Sequence, residues 1–157
     1  MRGSAIVPRM CPCGSGIEYD ACCARFHRGA TPATAVELMR ARYSAFVRGE
    51  HAFLWSTLHR DHPDRASSSE KDFADGVARN ARRVRYRALR VIDSDGPDAD
   101  GIWRVLFHAQ VSVAGKDASF VELSSFAADE RAAILYVGGV TRPARAGIPG
   151  SIAAFER

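Results

Sequence analysis

Residues 102–113 read Ile-Trp-Arg-Val-Leu-Phe-His-Ala-Gln-Val-Ser-Val, and this stretch decides the fold class. Every second residue from Val105 to Val113 is apolar, whereas the residues between them, from Arg104 to Ser112, are mostly polar. An alternation with a period of two places the apolar side chains on one face of a β-strand. The stretch therefore predicts a strand with one buried face, which is typical of antiparallel sheets.

The sequence around this strand predicts an antiparallel meander. Gly115 lies in a predicted hairpin turn at residues 114–117. Three further segments have the composition of strands: residues 84–93, 119–127 and 132–138. The tail from Gly139 onward is predicted to be loop, and its apolar residues Ile148, Ile152 and Phe155 are expected to dock on the domain.

Helices are predicted before the first strand. Thr34 and Glu37 have the spacing of a capping box, and an apolar stripe with helical spacing follows them until Gly49. The remaining predicted segments are helices over residues 50–59 and 70–81, with a loop over residues 59–69. Helices followed by strands, without strand–helix–strand alternation, predict an α+β fold with helices covering one face of the sheet.

Four cysteines lie within thirteen residues: Cys11, Cys13, Cys22 and Cys23. Four thiolates suffice to bind Zn²⁺ tetrahedrally, with Zn–S distances of about 2.3 Å. A disulfide framework would spread its bridges over the fold, and a bridge between the adjacent Cys22 and Cys23 is strained. The same residues are also compatible with a thiol redox centre or an iron–sulfur cluster. The clustering favours a local metal site.

Composition limits the class of protein. The 157 residues are 46% hydrophobic and 25% charged, which is a globular composition, and the length allows at most one compact domain plus a small module. No apolar stretch is long enough to span a membrane, and the run Ala5-Ile6-Val7 is too short for the core of a signal peptide. The prediction is a cytoplasmic protein in which residues 1–9 are either native or an upstream leader.

Six arginines and no acidic residue occur between Arg79 and Arg90, in a chain with a formal net charge of +4. Such a run can bind a phosphate backbone. Its more common interpretation is a solvated sheet face, balanced here by the acids that follow it: Asp93, Asp95, Asp98 and Asp100. The mild overall basicity does not predict sequence-specific nucleic-acid binding.

Residues 11–23 read CPCGSGIEYDACC and resemble the SEC-C motif, the zinc-binding element at the C-terminus of the SecA translocation ATPase. Residues 38–46, LMRARYSAF, resemble a helix of the YchJ family of bacterial proteins, and weaker similarities follow at residues 121–126 and 136–143. The sequence departs from the family in having Leu58-His59-Arg60 where Trp-His-Pro is usual, and Gly138 where Asp is usual.

This resemblance implies a zinc site and a fold. The four cysteines are expected to bind Zn²⁺ as a structural ion. The main domain is expected to be a nuclear-transport-factor-2-like cone, in which helices close a curved antiparallel sheet. The expected organisation is a SEC-C module at residues 10–30, the α+β domain at residues 31–145 and a tail at residues 146–157.

Two functions follow as expectations. By resemblance, the module acts as an adaptor that presents Arg25, His27 and Arg28 to a protein or ribosomal partner. The second possibility is a ligand-binding or enzymatic pocket inside the cone, with zinc purely structural. Four polar residues are its candidate lining: Arg42, Tyr43, His59 and Glu122.

Each pocket residue also has a simpler structural interpretation. Glu122 fits the solvent face of a strand or a structural salt bridge. Tyr43 fits the core, and His59 fits a loop or a helix cap. His108 is expected on the exposed sheet face. No residue set has a spacing that is diagnostic of catalysis. The pocket hypothesis therefore requires Arg42 and Glu122 to meet in one closed cavity.

Overall fold

Helices flank one antiparallel sheet in the computed structural model, which describes residues 9–157. The helices are α1 (Ala24–His27), α2 (Ala35–Arg48), α3 (His51–Ser56), α4 (Pro63–Ser67), α5 (Glu70–Arg83) and α6 (Ile152–Glu156). The strands are β1 (Val84–Asp95), β2 (Ile102–Val113), β3 (Lys116–Asp117), β4 (Phe120–Ala128) and β5 (Ile134–Pro143). The predicted α+β class is confirmed. The expectation about an N-terminal leader concerns residues 1–9, of which residues 1–8 lie outside the described residues.

The sheet has the order β1-β2-β4-β5, and the short strand β3 pairs with β2. The strand predicted at residues 102–113 has those bounds in the structure. Register shifts occur twice in β1 and once between β4 and β5. Bulges of this kind bend and twist a strand, so they allow the sheet to curve around a helix. Within the described residues, no helix is long and apolar enough to cross a membrane.

Helix α2 packs on one face of the sheet. Its sequence provides capping residues at both ends and a buried face that contacts β2. The Thr34 hydroxyl accepts from the Glu37 amide at the first turn, and Gly49 ends the helix with a φ of 72°. The buried face of α2 meets the predicted inward residues of β2, among them Val105 and Phe107. This contact forms the main hydrophobic core.

The opposite face of the sheet is partly covered by the C-terminus. Leu106, Val121 and Leu123 are buried there against Ile152 and Phe155 of α6. His108 lies on the same face and is also buried, so the expected exposure of His108 is wrong. Sequence alternation identified the two faces, but it does not show that a distant segment covers the second one.

Two loop predictions are wrong. Residues 59–69 contain helix α4, which starts at Pro63 and is capped by the Asp64 amide donating to His62 Nδ1. The tail is not loop from Gly139, because β5 continues to Pro143 by pairing with β4. Helix α6 follows, and the Ser151 hydroxyl accepts from the Ala154 amide at its start. These elements are too short to show a period in sequence.

The docking of α6 gives a prediction about stability. Phe155 is 3% exposed, so Phe155→Ala is expected to lower the free energy of unfolding by about 3 kcal/mol through the cavity it leaves. Ile148, the third apolar residue of the tail that is predicted to dock, is 44% exposed, and Ile148→Ala is expected to change stability by less than about 0.5 kcal/mol. Urea unfolding measures both variants. Equal effects would contradict the docking of α6.

Candidate metal centre and internal cavity

The four cysteine sulfurs form one buried cluster in which all the ligand atoms lie within 4.8 Å of one another. The Sγ atoms of Cys13 and Cys22 are 3.7 Å apart, and those of Cys22 and Cys23 are 4.0 Å apart. A tetrahedral ion with metal–sulfur bonds of about 2.3 Å requires sulfurs about 3.8 Å apart. All four cysteines are free in the structure. The donor set therefore fits a tetrahedral metal ion.

Local backbone geometry builds this cluster. The Cys11 amide donates to the Ile17 carbonyl at 2.8 Å, which closes the loop that carries Cys13. Gly14 has a φ of 77°, and an added Cβ would lie 3.1 Å from the Leu89 carbonyl of β1. Glycine at position 14 thus serves both the turn and the close approach to the sheet.

Neighbouring hydroxyls contact the sulfurs. Ser15 Oγ lies 3.2 Å from Cys22 Sγ, and Ser44 Oγ of α2 lies 3.4 Å from Cys11 Sγ. Without a metal, the pKa of Cys13 is lowered to about 4, chiefly because the Cys23 thiol donates to its sulfur, and the pKa of Cys23 is raised accordingly. The cluster already favours a thiolate, which is the form that binds metals.

The cysteine module packs tightly on α2. Arg40 Nη1 donates to the Cys13 carbonyl at 2.7 Å. His27 Nε2 donates to the Ala41 carbonyl at 2.8 Å, so its Nδ1 accepts from the Tyr19 hydroxyl at 2.6 Å. Burial lowers the pKa of His27, which keeps the ring neutral for this arrangement. The cysteines and the inner face of α2 belong to one hydrophobic core.

This packing corrects one expectation about the module. His27 faces α2 and Phe53 instead of a partner, with its ring 4.8 Å from that of Phe53. Arg25 and Arg28 are exposed, as expected. Sequence alone could not show this difference, because the acceptor for His27 comes from a different helix.

A cavity of about 280 Å³ lies between α2 and the sheet. Its walls are mostly aromatic, with a small number of polar groups, and include Tyr43, Phe46, Tyr86, Phe107, Phe120 and Phe126. Arg42 and Glu122 line the same cavity, which is partly open to solvent. Glu122 is on the cavity face of β4, so its assignment to a solvent face is wrong.

Arg42 places a buried positive charge at this cavity. Its side chain is 7% exposed, and its Nη1 donates to the Leu54 carbonyl at 2.9 Å and to Thr57 Oγ1 at 2.6 Å. The guanidinium carbon lies 4.6 Å from the centre of the Tyr136 ring. Burial lowers the pKa of Arg42 to about 10, so the group stays charged at neutral pH. Among residues 9–157, no carboxylate forms an ion pair with it.

Three hydroxyl groups satisfy the Glu122 carboxylate. Its Oε1 accepts from Ser124 Oγ at 2.7 Å and from the Tyr136 hydroxyl at 2.8 Å. Its Oε2 accepts from Thr141 Oγ1 at 3.2 Å. Burial is the largest cause of a raised pKa at Tyr136, which therefore remains a donor at neutral pH. An added Cβ at Gly139 would lie 2.3 Å from Glu122 Oε1, so a glycine there leaves room for the carboxylate.

The structure brings three of the four candidate pocket residues together. Tyr43 lines the cavity beside Arg42 and Glu122, and burial raises the pKa of Tyr43 to about 12. His59 lies elsewhere, where its amide donates to the Tyr136 carbonyl and its Nδ1 accepts from the Asp61 amide. His59 therefore stabilises a loop and does not line this cavity.

Sequence reasoning missed Tyr136, which links the two charged residues of the cavity. Its ring lies against Arg42, and its hydroxyl donates to Glu122. The residue belongs to a stretch similar to the YchJ family, at residues 136–143. That similarity is the available signal, but the spacing of Tyr136 from Arg42 and Glu122 in sequence does not connect them.

Comparison with known proteins agrees with this combination of a cysteine module and an α+β domain. Residues 10–25 match the model of the SEC-C motif, and residues 34–139 match the model described as the YchJ middle NTF2-like domain. The fold and the metal centre thus define a SEC-C-motif protein with a nuclear-transport-factor-2-like domain. The chain belongs to the YchJ family, whose relatives carry the designation UPF0225.

Individual relatives support the assignment. A UPF0225 protein of Cupriavidus metallidurans is 39% identical over 79% of this chain and 79% of its own length. A SEC-C motif protein of Rhodopseudomonas palustris has a solution structure that superposes with a TM-score of 0.70, at 26% identity, over 83% of this chain and 96% of its own. A SEC-C motif protein of Psychrobacter arcticus, at 22% identity, covers 82% of this chain and 80% of its own and shares the fold with a TM-score of 0.68.

The metal centre gives a prediction about composition. The purified protein is expected to contain one metal ion per chain, and Cys22→Ser is expected to lose it because only three thiolates remain. Elemental analysis by mass spectrometry measures the content. Ile17→Ser, an exposed position in the same module, is the control and is expected to keep the metal. Less than about half an ion of any metal per chain would contradict the site.

Proposed function

We propose that the metal is Zn²⁺ and that its role is structural. Four buried cysteine sulfurs leave no open coordination position for a substrate, which is typical of structural zinc. Serine hydroxyls beside Cys11 and Cys22 provide further contacts to the sulfurs. Free cysteines also support a reducing, cytoplasmic location. The elemental analysis above identifies the ion, and iron in place of zinc would overturn this part of the proposal.

The main proposal is that the α+β domain binds a small aromatic acid in its internal cavity. The observation that carries it is the presence of Arg42 and Glu122 around one aromatic-walled space between α2 and the sheet. Ligand sites combine apolar walls with a few placed polar groups. The cavity has this character, and the metal module holds the helix that forms one of its walls.

The charges favour an acidic ligand. Glu122 is already satisfied by three hydroxyl donors, so it does not require a cation from a ligand. Arg42 is buried and charged without an ion-pair partner among the described residues, and uncompensated buried charge is costly. A carboxylate on an aromatic ring would pair with Arg42 while the ring contacts the aromatic walls. The volume of about 280 Å³ restricts the ligand to a small molecule.

Two neighbouring glycines allow a matched test of this proposal. Gly139→Ala is expected to displace the Glu122 carboxylate, because the new Cβ would lie 2.3 Å from Oε1. Gly138→Ala adds the same methyl group one residue away, where nothing lies within 4 Å. A carboxylate displaced into the cavity would repel an acidic ligand, so we expect Gly139→Ala to weaken binding about tenfold, or 1.4 kcal/mol. Gly138→Ala is expected to change binding by less than about twofold.

The measurement is a titration of the metal-loaded protein with cinnamate, 2-naphthoate and indole-3-acetate, followed by amide chemical shifts. Binding in the cavity is expected to shift the amide signals of Tyr43, Phe107 and Tyr136, which line it. The same spectra report whether each variant is folded. Absence of binding by all three acids, or equal weakening by the two glycine variants, would overturn the proposal.

The adaptor role remains a second proposal. Met10 and Ile17 are large apolar residues of the metal module that are 55% and 50% exposed, and Arg25 and Arg28 are exposed beside α1. An exposed apolar pair with basic neighbours supports contact with a protein or ribosomal partner. Ribosome co-sedimentation at low salt tests it: Ile17→Ser is expected to reduce co-sedimentation, and its absence in the wild-type protein would overturn the adaptor role.

A further inference from the structure

The outer face of the sheet, opposite α2, has an open end that α6 does not cover. A groove of about 530 Å³ lies there, and we refer to it as the arginine groove. Arg87 of β1 and Arg145, which follows β5, both line it. Its other polar lining is formed by His108, Gln110 and Ser112 of β2 together with Asp117 and Ser119.

The arginine groove continues along β1. Arg85 is paired in register with Ser112 and Arg90 with His108, so both arginines lie on the face that carries the groove. All six arginines between Arg79 and Arg90 are exposed. Within residues 9–157, none of these six forms an ion pair.

Three of the four acids predicted to balance these arginines are engaged elsewhere. Asp93 accepts from the Ile152 amide of α6, and Asp95 pairs with Arg104. Asp98 accepts from amides of its own loop. Asp117, the carboxylate of the groove, accepts from the Ser119 hydroxyl at 2.6 Å. The positive charge of this surface is therefore not neutralised by local pairing.

We propose that the arginine groove and the exposed arginines of β1 bind the phosphate backbone of single-stranded RNA without base specificity. Arginine binds phosphate through its planar fork of N–H donors. Arginines two residues apart on a strand are about 7 Å apart, which is comparable to the separation of neighbouring phosphates in an extended strand. The groove lining contains no Phe, Tyr or Trp on which bases would stack, so contacts to the backbone dominate.

The experiment measures fluorescence anisotropy of a labelled oligouridylate with the full-length, metal-loaded protein. The double variant Arg87→Gln/Arg145→Gln removes two charges from the groove. The control Arg60→Gln/Arg131→Gln removes two exposed charges from other surfaces. Both variants have the same net charge, so a difference in their RNA binding depends on where the charges were removed.

We expect the wild-type protein to bind and the affinity to fall steeply between about 50 and 200 mM salt. The groove variant is expected to lower the slope of log affinity against log salt by about 1.4, because each contact to a single-strand phosphate contributes about 0.7. The control is expected to keep the wild-type slope. Equal losses in both variants, no binding at 50 mM salt, or binding only to vesicles containing phosphatidylglycerol would overturn the proposal.

Discussion

The contact between the cysteine module and helix α2 is the interaction on which the rest of the molecule depends. Arg40 binds the Cys13 carbonyl, and Ser44 contacts the Cys11 sulfur from the same helix. Between them, Arg42 and Tyr43 line the internal cavity. One helix of fourteen residues therefore serves both the metal centre and the cavity.

This arrangement explains why the cysteine module would need a metal ion to fold. The module at residues 10–25 has little apolar sequence of its own, and a chain this short does not fold without metals, disulfides or docking. In the structure its cysteines share the main core with α2 and β2. An ion that holds the four sulfurs together would also hold Tyr19 and His27 against α2, so we expect metal binding to stabilise the domain.

Sequence predicts best the features that depend on residues close together in the chain. Four cysteines that are close in the chain predicted their own cluster, and the alternation of residues 102–113 predicted both bounds of β2. The features it missed depend on distant segments. Tyr136 reaches Glu122 because β4 and β5 pair with a bulge, and His108 is buried although its strand pattern is polar on that face. The residues that flank Tyr136 and His108 in sequence do not show how β4 and β5 pair or which segment covers His108.

The metal centre and the α+β domain are expected to form one cooperative unit. Urea unfolding of metal-loaded and chelator-treated protein, followed by the fluorescence of Trp103, tests this cooperativity, with Trp55→Phe used to leave that single reporter on β2. Metal removal is expected to shift the unfolding midpoint of the sheet to lower urea. An unchanged midpoint at Trp103 after complete metal removal would contradict it.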